Sequence, residues 1–433
     1  MKKMRPFELA LVVIFVVLAV VSLGLLATYK PAPDAPEDGE VVTGAVQIWG
    51  TLPGSAMTDL IAEYADIYDS YRSVTYRYIE PDRFESTLIN ALADDAGPDL
   101  VLISQEELVT VRKRILPESY EAFPYRDIRN LYLDGAEIFA LQDGLHARPL
   151  VVDPLVLFWN RDILATEGHL TAPRTWEELV NVQFGDLIDR NFDRTISRSV
   201  VAMGEYSNVR NGFGLVSMLL IQGGSLGVVE TADEYRISLN ETAVGGQPLR
   251  STADFYTRFS IPSNTLYSWN RSLPEDRSAF VAEDLVFYFG FASEGPEIER
   301  LNPNLNFDIA EVPQSELATV RRTYGRFYGL ALMRTTDNYP GAVAIQRQFS
   351  NDAAQIAADS NMVPALRSAV AAGSNETYGR ISYQSASIAY GWLSPDQVSS
   401  DQIFGTLFQD INENRRSTTE AVSDALSRFE VEY

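Results

Sequence analysis

The stretch PLVVDPLVLFWNRDIL, Pro149 to Leu164, decides the fold of this 433-residue chain. Its apolar run from Leu150 to Trp159, rich in β-branched residues, predicts a buried strand. The Asn-Arg-Asp that follows indicates a turn into a helix. Asp153 is the only charged residue within the run. Because segments with strand and helix patterns flank the stretch on both sides, we expect a strand that joins two lobes and places Asp153 in the gap between them.

The residues before this stretch alternate between strand and helix patterns, in the order β–α–β–α–β from Ala45 to Ile103. This order predicts a mostly parallel sheet with helices on both faces. Ligands bind beyond the carboxyl ends of the strands in such sheets. The first strand ends at Trp49-Gly50-Thr51 and the third at Ser104-Gln105-Glu106, so both ends are candidate binding positions.

The residues after it continue the α/β pattern. The predicted elements are a helix with a capping box from Thr175, a strand Arg198–Met203, a helix Val209–Gln222, a strand Leu285–Phe289, a second extended crossing Asp308–Val312, a strand Tyr324–Leu332, and helices Asp401–Asn412 and Thr418–Phe429.

Composition excludes several kinds of site. The chain has no cysteine, which excludes disulfides, iron–sulfur clusters and a cysteine-anchored lipoprotein. His146 and His169 are the only histidines, so we expect no multi-histidine metal site. The spacing Asp186, Asp189, Asp193 lacks the turn glycine of a calcium loop and indicates a solvated helix face. We therefore expect neither a metal nor a cofactor.

The first residues predict a membrane segment. Three basic residues precede Leu9–Ala27, which is long and apolar enough to span a bilayer. We expect a signal anchor over residues 1–29 with its N-terminus in the cytoplasm, then a disordered linker over residues 30–43. A cleaved signal peptide is the alternative. Either reading puts the rest of the chain outside the membrane.

The net charge of the chain is −24, and residues 1–30 carry +3, so residues 31–433 carry −27. A domain this acidic does not bind a nucleic-acid backbone by counterion release. The charge indicates a solvated surface that keeps the protein soluble, and it favours neutral or cationic ligands over anionic ones.

Several segments together resemble family 1 extracellular solute-binding proteins of ABC importers, the group that includes maltose-binding protein. The similar segments are AGPDLVLIS (Ala96–Ser104), the hinge stretch itself, PRTWEELV (Pro173–Val180), AFVAEDLVFYFGFASE (Ala279–Glu294) and RRSTTEAVSDAL (Arg415–Leu426). The stretch NPNLNFDIAEVPQ (Asn302–Gln314) is similar to family members from candidate-phyla bacteria. The resemblance covers about residues 44–433.

The resemblance implies an α/β, two-lobed periplasmic-binding-protein-like fold of type II. It implies an N-lobe of residues 44–151 plus 311–360 and a C-lobe of residues 152–310 plus 361–433. It further implies a monomer, outside the cell or in a periplasm, that closes about its hinge on a carbohydrate-like ligand without chemistry and delivers it to the transmembrane subunits of an ABC permease.

Candidate binding residues follow from the resemblance and from strand ends. By resemblance, Asp153 matches the family's acidic hinge residue, and Phe291 stands nearest to its missing cleft tryptophan. The full candidate set is Asp153, Glu205, Tyr206, Glu106, Phe291, Trp49, Thr51, Trp269 and Trp392. Most have a structural alternative: a hinge salt bridge for Asp153, a solvated helix start for Glu106, loop polarity for Glu205 and Tyr206, core packing for Phe291 and Trp49, and a wedge between the lobes for Trp269 and Trp392.

Two other functions stay open. The same fold could serve as a surface sensor or adhesin without transport. A glycoside hydrolase would need two acids about 5–10 Å apart in the cleft, although no nucleophile elbow, P-loop or dinucleotide loop is present. The sequence does not name the solute; peptides, polyols, phosphate esters, polyamines and metal chelates are all compatible with it.

Overall fold

The computed structural model describes residues 44–231 and 235–433. The predicted membrane anchor and linker, residues 1–43, lie outside the described residues. Among the described residues, no helix has the length and apolar character needed to cross a bilayer.

The described residues form strands and helices in alternation. The strands are β1 (Val46–Gly50), β2 (Val74–Tyr78), β3 (Leu100–Ser104), β4 (Ala140–Leu141), β5 (Gly144–Leu145), β6 (Arg148–Asn160), β7 (Asp189–Arg190), β8 (Ile196–Val201), β9 (Gly227–Glu230), β10 (Tyr235–Ser238), β11 (Leu285–Phe291), β12 (Phe307–Ala310), β13 (Thr323–Leu332), β14 (Val363–Pro364) and β15 (Ala389–Tyr390). The helices are α1 (Ala56–Ile67), α2 (Pro81–Ala93), α3 (Gln105–Val111), α4 (Tyr125–Leu131), α5 (Arg161–Thr166), α6 (Trp176–Glu178), α7 (Phe184–Leu187), α8 (Gly212–Gln222), α9 (Pro248–Tyr256), α10 (Asp276–Val281), α11 (Gly295–Leu301), α12 (Tyr339–Asn351), α13 (Ala353–Ser360), α14 (Arg367–Ala372), α15 (Gly379–Ser387), α16 (Gln397–Asn412) and α17 (Thr418–Glu432).

Strand β6 belongs to both lobes, as its sequence predicts. Its first half pairs with β13 and β14, and its second half, from Leu155, pairs with β11 and β12. A strand with partners on both sides along its whole length must be buried, which explains its continuous apolar run. All residues of β6 after Arg148 are buried. Asp153 lies where the partners change.

The first lobe is a mixed sheet in the order β2-β1-β3-β13-β6. Its β1–β2 and β1–β3 pairs are parallel, as predicted. Successive residues of β3 enter opposite cores: Val101 and Ile103 pack on one face, and Leu100 and Leu102 on the other. A central strand needs apolar residues on both faces for this reason.

The second lobe has one large core. It contains residues 155–159 of β6, together with α8, β11 and the C-terminal helices. Helix α8 begins at Gly212 rather than at the predicted Val209, because Val209 closes a turn onto Tyr206. The predicted start at Thr175 is confirmed, since Thr175 accepts a hydrogen bond from the Glu178 N–H at 3.0 Å.

The residue boundaries between the lobes stay a prediction. Val363 and Ala365 pack in a core of the first lobe, and β14 pairs with β6 there. Helix α15 spans the junction: Ile381 packs against the core of the second lobe and Ala386 lies in a core of the first. The segment after residue 360 therefore contacts both lobes.

A hairpin of the second lobe reaches the first lobe. We call β9 and β10 the strap. Glu230 in β9 accepts a hydrogen bond from the backbone N–H of Gln142 at 2.9 Å and forms a salt bridge with Arg112. Arg112 also donates to the Tyr235 hydroxyl at 2.8 Å. Because Arg112 and Gln142 belong to the first lobe, the strap ties the lobes together.

Candidate functional site

The start of α3 places two acids at the carboxyl end of β3. The Ser104 hydroxyl accepts from the Glu106 N–H at 3.1 Å, and Glu107 accepts from the Ser104 N–H at 2.7 Å. This reciprocal arrangement is a capping box. Glu106 is 1% exposed and Glu107 is 7% exposed. The burial excludes the alternative of a solvated acid at this helix start.

Only one of the two carboxylate oxygens of Glu106 accepts hydrogen bonds from the residues that the structure describes. Its Oε1 accepts from the Tyr324 hydroxyl at 2.5 Å and from Arg326 Nε at 3.0 Å. Its Oε2 is buried and has no hydrogen-bond partner among the described residues. A buried carboxylate oxygen without a donor costs free energy. The site therefore has an acceptor that a bound molecule could satisfy.

Arg326 connects the two lobes. It stands in β13 directly opposite Asp153 of β6, so the two side chains share one face of the sheet. Its guanidinium pairs with Glu106 of the first lobe and lies 4.6 Å from the ring centroid of Phe291, which is in the second lobe. This geometry is a cation–π contact.

Asp153 lies at the floor between the lobes and is 3% exposed. Its Oδ1 accepts from the Ser293 N–H at 3.1 Å, and its Oδ2 accepts from the Ser293 hydroxyl at 2.5 Å. Burial raises the pKa of Asp153 to about 7, although the Ser293 hydrogen bonds and the charge of Arg326 oppose the rise. Its hydrogen-bonding partners are thus neutral donors and not the salt bridge considered as the alternative.

Thr51 contacts the acids at the start of α3 through Glu107. The Thr51 hydroxyl is 3.4 Å from Glu107 Oε2, and Thr51 itself is buried. Burial, and then repulsion from Glu106, raise the pKa of Glu107 to about 7. The residue after β1 therefore contacts the helix start after β3, so the two predicted strand ends lie side by side.

Tyr206 forms the facing wall in the second lobe. Its ring stacks on Phe408 with centroids 5.8 Å apart, and its hydroxyl donates to Asp401 Oδ1 at 2.5 Å. Burial raises the pKa of Asp401, and repulsion from Glu106 adds to the rise. The charge of Glu106, in the first lobe, therefore acts on Asp401 in the second lobe. Glu205 lies behind Tyr206 and contacts Arg271 at 3.5 Å.

The structure does not bring the three predicted tryptophans into this group. Trp269 is 1% exposed, and its Nε1 donates to Asn208. Trp392 is 6% exposed and donates to Ser217 in the same core. Trp49 is 7% exposed and its ring is covered by the Arg77 guanidinium. In this structure all three pack, and none offers an open ring face.

We call the residues that meet at the junction the cleft cluster: Glu106, Glu107, Asp153, Tyr206, Phe291, Tyr324, Arg326 and Asp401. Sequence reasoning missed Glu107, Tyr324, Arg326 and Asp401. Arg326 could have been found from the sequence, because it is the only charged residue in the apolar strand Tyr324–Leu332. The same criterion identified Asp153. Asp401 could not have been found in this way, since polar residues are common in an amphipathic helix. The described residues contain no group of acids and histidines arranged to hold a metal ion.

Comparisons with known proteins agree with the two-lobed fold. No family model matches the chain. A maltodextrin-binding protein of Bacillus subtilis is 24% identical over 166 residues, which cover 36% of this chain and 35% of that protein. The match thus spans about a third of the curated relative.

Solved structures match over most of the chain. A cyclo/maltodextrin-binding protein complexed with maltotetraose has a TM-score of 0.69 and 14% identity, covering 89% of this chain and 96% of the other. A cyclic α-maltosyl-1,6-maltose binding protein from Arthrobacter globiformis has a TM-score of 0.69 and 16% identity, covering 90% and 98%. All three relatives are named as binding proteins and none as an enzyme. The predicted two-lobed α/β fold is confirmed.

Proposed function

We propose that this chain is a family 1 solute-binding protein that captures a carbohydrate ligand between its lobes for an ABC importer. The fold and the sugar-binding names of its structural neighbours support the class of function. The unpartnered Oε2 of Glu106 is the observation on which the proposal rests, because it is an acceptor at the junction that lacks a donor. Sugar hydroxyls are such donors.

The neighbours of Glu106 suit a sugar. Asp153, Glu107 and Asp401 add carboxylate acceptors, and Arg326 adds a planar set of donors. Phe291 is 4% exposed and covered by Arg326, and one face of Tyr206 stacks on Phe408. Separation of the lobes would uncover the ring of Phe291, and this ring and the other face of Tyr206 would then supply apolar surfaces for the C–H face of a sugar. This combination of flat rings and hydrogen-bonding groups is what carbohydrate sites require.

We propose that the ligand enters when the lobes separate about β6. The contacts of Arg326 with Phe291 and of Asp153 with Ser293 join the lobes at the cleft floor. Separation would break these contacts and expose Glu106. A ligand that binds both walls then favours the closed arrangement by its differential affinity.

We also propose that residues 1–29 anchor the protein in the cell membrane, with the body outside. The permease would recognise the closed arrangement of the two lobes. The basis is the apolar stretch Leu9–Ala27 together with the family resemblance. A surface sensor would have the same anchor and cleft but no permease.

Thermal unfolding of the purified protein with a panel of oligosaccharides, polyols, polyamines and peptides tests ligand capture. A ligand at about 100 times its Kd should stabilise the fold by about 2.7 kcal/mol. We expect malto- or manno-oligosaccharide-like compounds to raise the Tm and Glu106→Gln to abolish the increase, because the variant removes the carboxylate charge while keeping one acceptor.

Glu118→Gln is the matched control. Glu118 forms a two-point salt bridge with Arg148 in the first lobe and takes no part in the cleft cluster. We expect this variant to keep the ligand-induced shift. The proposal fails if no carbohydrate raises the Tm, or if both variants reduce the shift equally.

A further inference from the structure

The cleft cluster has an unequal distribution of charge. It contains four carboxyl groups, those of Glu106, Glu107, Asp153 and Asp401, and one guanidinium, that of Arg326. Only Glu106 forms an ion pair with Arg326. Asp153 is held by Ser293, Glu107 by Ser104 and Thr51, and Asp401 by Tyr206, all of which are neutral donors.

The basic residues around the cluster have other contacts. Arg210 lies near Glu275 and Glu294, Arg271 pairs with Glu413 at 2.9 Å and lies near Glu205, and Arg77 covers Trp49. Across residues 44–231 and 235–433, no second cation forms a salt bridge with the four carboxyl groups. Glu294, which is close to Asp153, has cations of its own, Arg277 at 3.8 Å and Arg210 at 4.0 Å, so it does not compensate or add to this charge. The junction therefore has an excess of negative charge.

A second observation points to a ligand. Glu106 is 1% exposed, and its Oε2 has no partner within the part of the chain that the structure describes. The missing group is a donor, and the surrounding field favours a positive one. A compact ammonium has three N–H donors and a full charge. It could reach Oε2 and one neighbouring carboxylate at once.

We infer that the ligand captured in this cleft is an amino sugar or a short amino-sugar oligomer, bound through its ammonium group at Glu106. The inference rests on the proposed carbohydrate function and narrows it. The ring faces of Phe291 and Tyr206 contact the sugar, while the ammonium replaces the donor that Glu106 lacks. A neutral sugar would satisfy Oε2 but would leave the excess charge uncompensated.

Binding of a cation changes the protonation of the buried carboxyl groups beside it. Asp153 and Glu107 each have a pKa near 7, raised chiefly by burial. The titratable or charged groups that act on them are Glu106, Glu294, Arg326, Tyr328 and Tyr78. An ammonium beside these carboxyls stabilises their charged forms, so protons leave on binding. The amine of an amino sugar titrates in the same pH range, so the affinity for an amino sugar passes through a maximum. It falls at lower pH because the carboxyl groups hold their protons, and at higher pH because the amine loses its charge. The affinity for a neutral sugar changes little.

Isothermal titration with matched trisaccharides tests the inference. The probes are the trimer of glucosamine, the trimer of N-acetylglucosamine, maltotriose and spermidine. At pH 6.5, where the amines of the glucosamine trimer are still largely protonated, we expect it to bind on the order of tenfold or more tightly than either neutral trimer, because charge-assisted hydrogen bonds are about twice as strong as neutral ones. Titrations in buffers with different ionisation enthalpies should show proton release for that trimer alone.

Each outcome separates this inference from the broader proposal. Glu106→Gln should remove the preference for the glucosamine trimer, and Glu118→Gln should leave it intact. Equal or tighter binding of a neutral trimer overturns the inference and leaves the carbohydrate function standing. Binding of spermidine alone overturns both, since it shows a polyamine site. Absence of binding by all four probes overturns the inference, and the thermal unfolding panel then decides the broader proposal.

Discussion

At the scale of a single residue, Asp276 shows how burial raises the pKa of a carboxyl group. It is 1% exposed in the second lobe, away from the cleft cluster. Burial raises its pKa to about 8, although the N–H groups of Arg210 and Arg277 donate to it. Because the folded state holds this proton more tightly than the unfolded chain, Asp276 contributes stability at low pH. That stability is lost as the pH rises from the unfolded pKa, about 4, to about 8.

Asp276→Asn should therefore flatten the pH dependence of stability. We expect the wild-type protein to lose free energy of unfolding relative to the variant over this range, by at most about 1.4 kcal/mol per pH unit. Urea unfolding at pH 4.5, 6.5 and 8.5 measures the difference. Asp59→Asn, at an exposed position of α1, is the control. A constant difference between wild type and Asp276→Asn across the three pH values would contradict the prediction.

The residue scale also shows what the sequence could predict of the site. Asp153 and Arg326 both interrupt apolar strands. Burying a charged side chain in such a strand costs free energy unless the side chain is paired or hydrogen-bonded, so both residues stand out in the sequence. Their pairing could not be predicted, because the register between β6 and β13 joins segments far apart in the chain. Trp269 and Trp392 were assigned from loop position, which does not reveal that they point into a core, and Trp49 was assigned from a strand end.

At the scale of elements, β13 depends on a glycine for its close approach to neighbouring strands. A Cβ on Gly325 would lie 2.7 Å from Ala389 Cβ and 3.0 Å from Val152 Cγ2. These atoms belong to β15 and β6, so neither can move without disturbing the sheet. Gly325→Ala should destabilise the protein by about 1–3 kcal/mol, as overpacking does.

Gly185→Ala is the matched control for this substitution. A Cβ on Gly185, in α7, meets no atom within 4 Å. We expect that variant to be neutral or up to about 1 kcal/mol more stable, because alanine is the better helix former. Urea unfolding of both variants makes the comparison. Equal stabilities would show that β15 and β6 are not tightly packed around Gly325.

Long elements were predictable and short ones were not. Strand β6 has a long apolar run, and helices α16 and α17 have helical periodicity. The structure has β6 close to the predicted bounds and α17 at the predicted start, whereas α16 begins at Gln397, before the predicted Asp401. Strands β14 and β15, with two residues each, have no pattern of their own and exist because β6 and β13 offer free edges. Their formation depends on tertiary contacts, which local sequence does not encode.

At the scale of the whole molecule, the strap sets how far the lobes can separate. Arg112 joins Glu230 and Tyr235 of the strap to the first lobe, and it also pairs with Asp143. Arg112→Met should weaken this link and leave Glu230 with the Gln142 N–H as its remaining donor in the first lobe. We expect a larger radius of gyration in small-angle X-ray scattering and weaker ligand binding, because more of the protein is open.

Arg428→Met is the control for the strap variant. Arg428 pairs with Asp424 on the surface of α17 and does not join the lobes. Its loss should leave the radius of gyration unchanged. An unchanged radius for Arg112→Met as well would mean that the strap does not restrain the lobes.

The two-lobed architecture was predictable because its motifs occur in a fixed order along the chain. The strap was not, since β9 and β10 are short, and nothing in Gly227–Glu230 indicates that Glu230 crosses to the first lobe. Interactions between lobes depend on how two finished surfaces meet. The sequence of either surface alone does not determine them.

The position of β13 bears on how the protein is made. During translation, β1, β2, β3 and β6 leave the ribosome well before β13, which must lie between β3 and β6. A nascent chain that ends before residue 323 therefore has no complete first sheet, whereas β6, β8, β11 and β12 of the second lobe are already present. The lobe that comes first in the sequence is the later one to close its sheet, and its exposed strand edges must stay unpaired, or be shielded by chaperones, until β13 arrives.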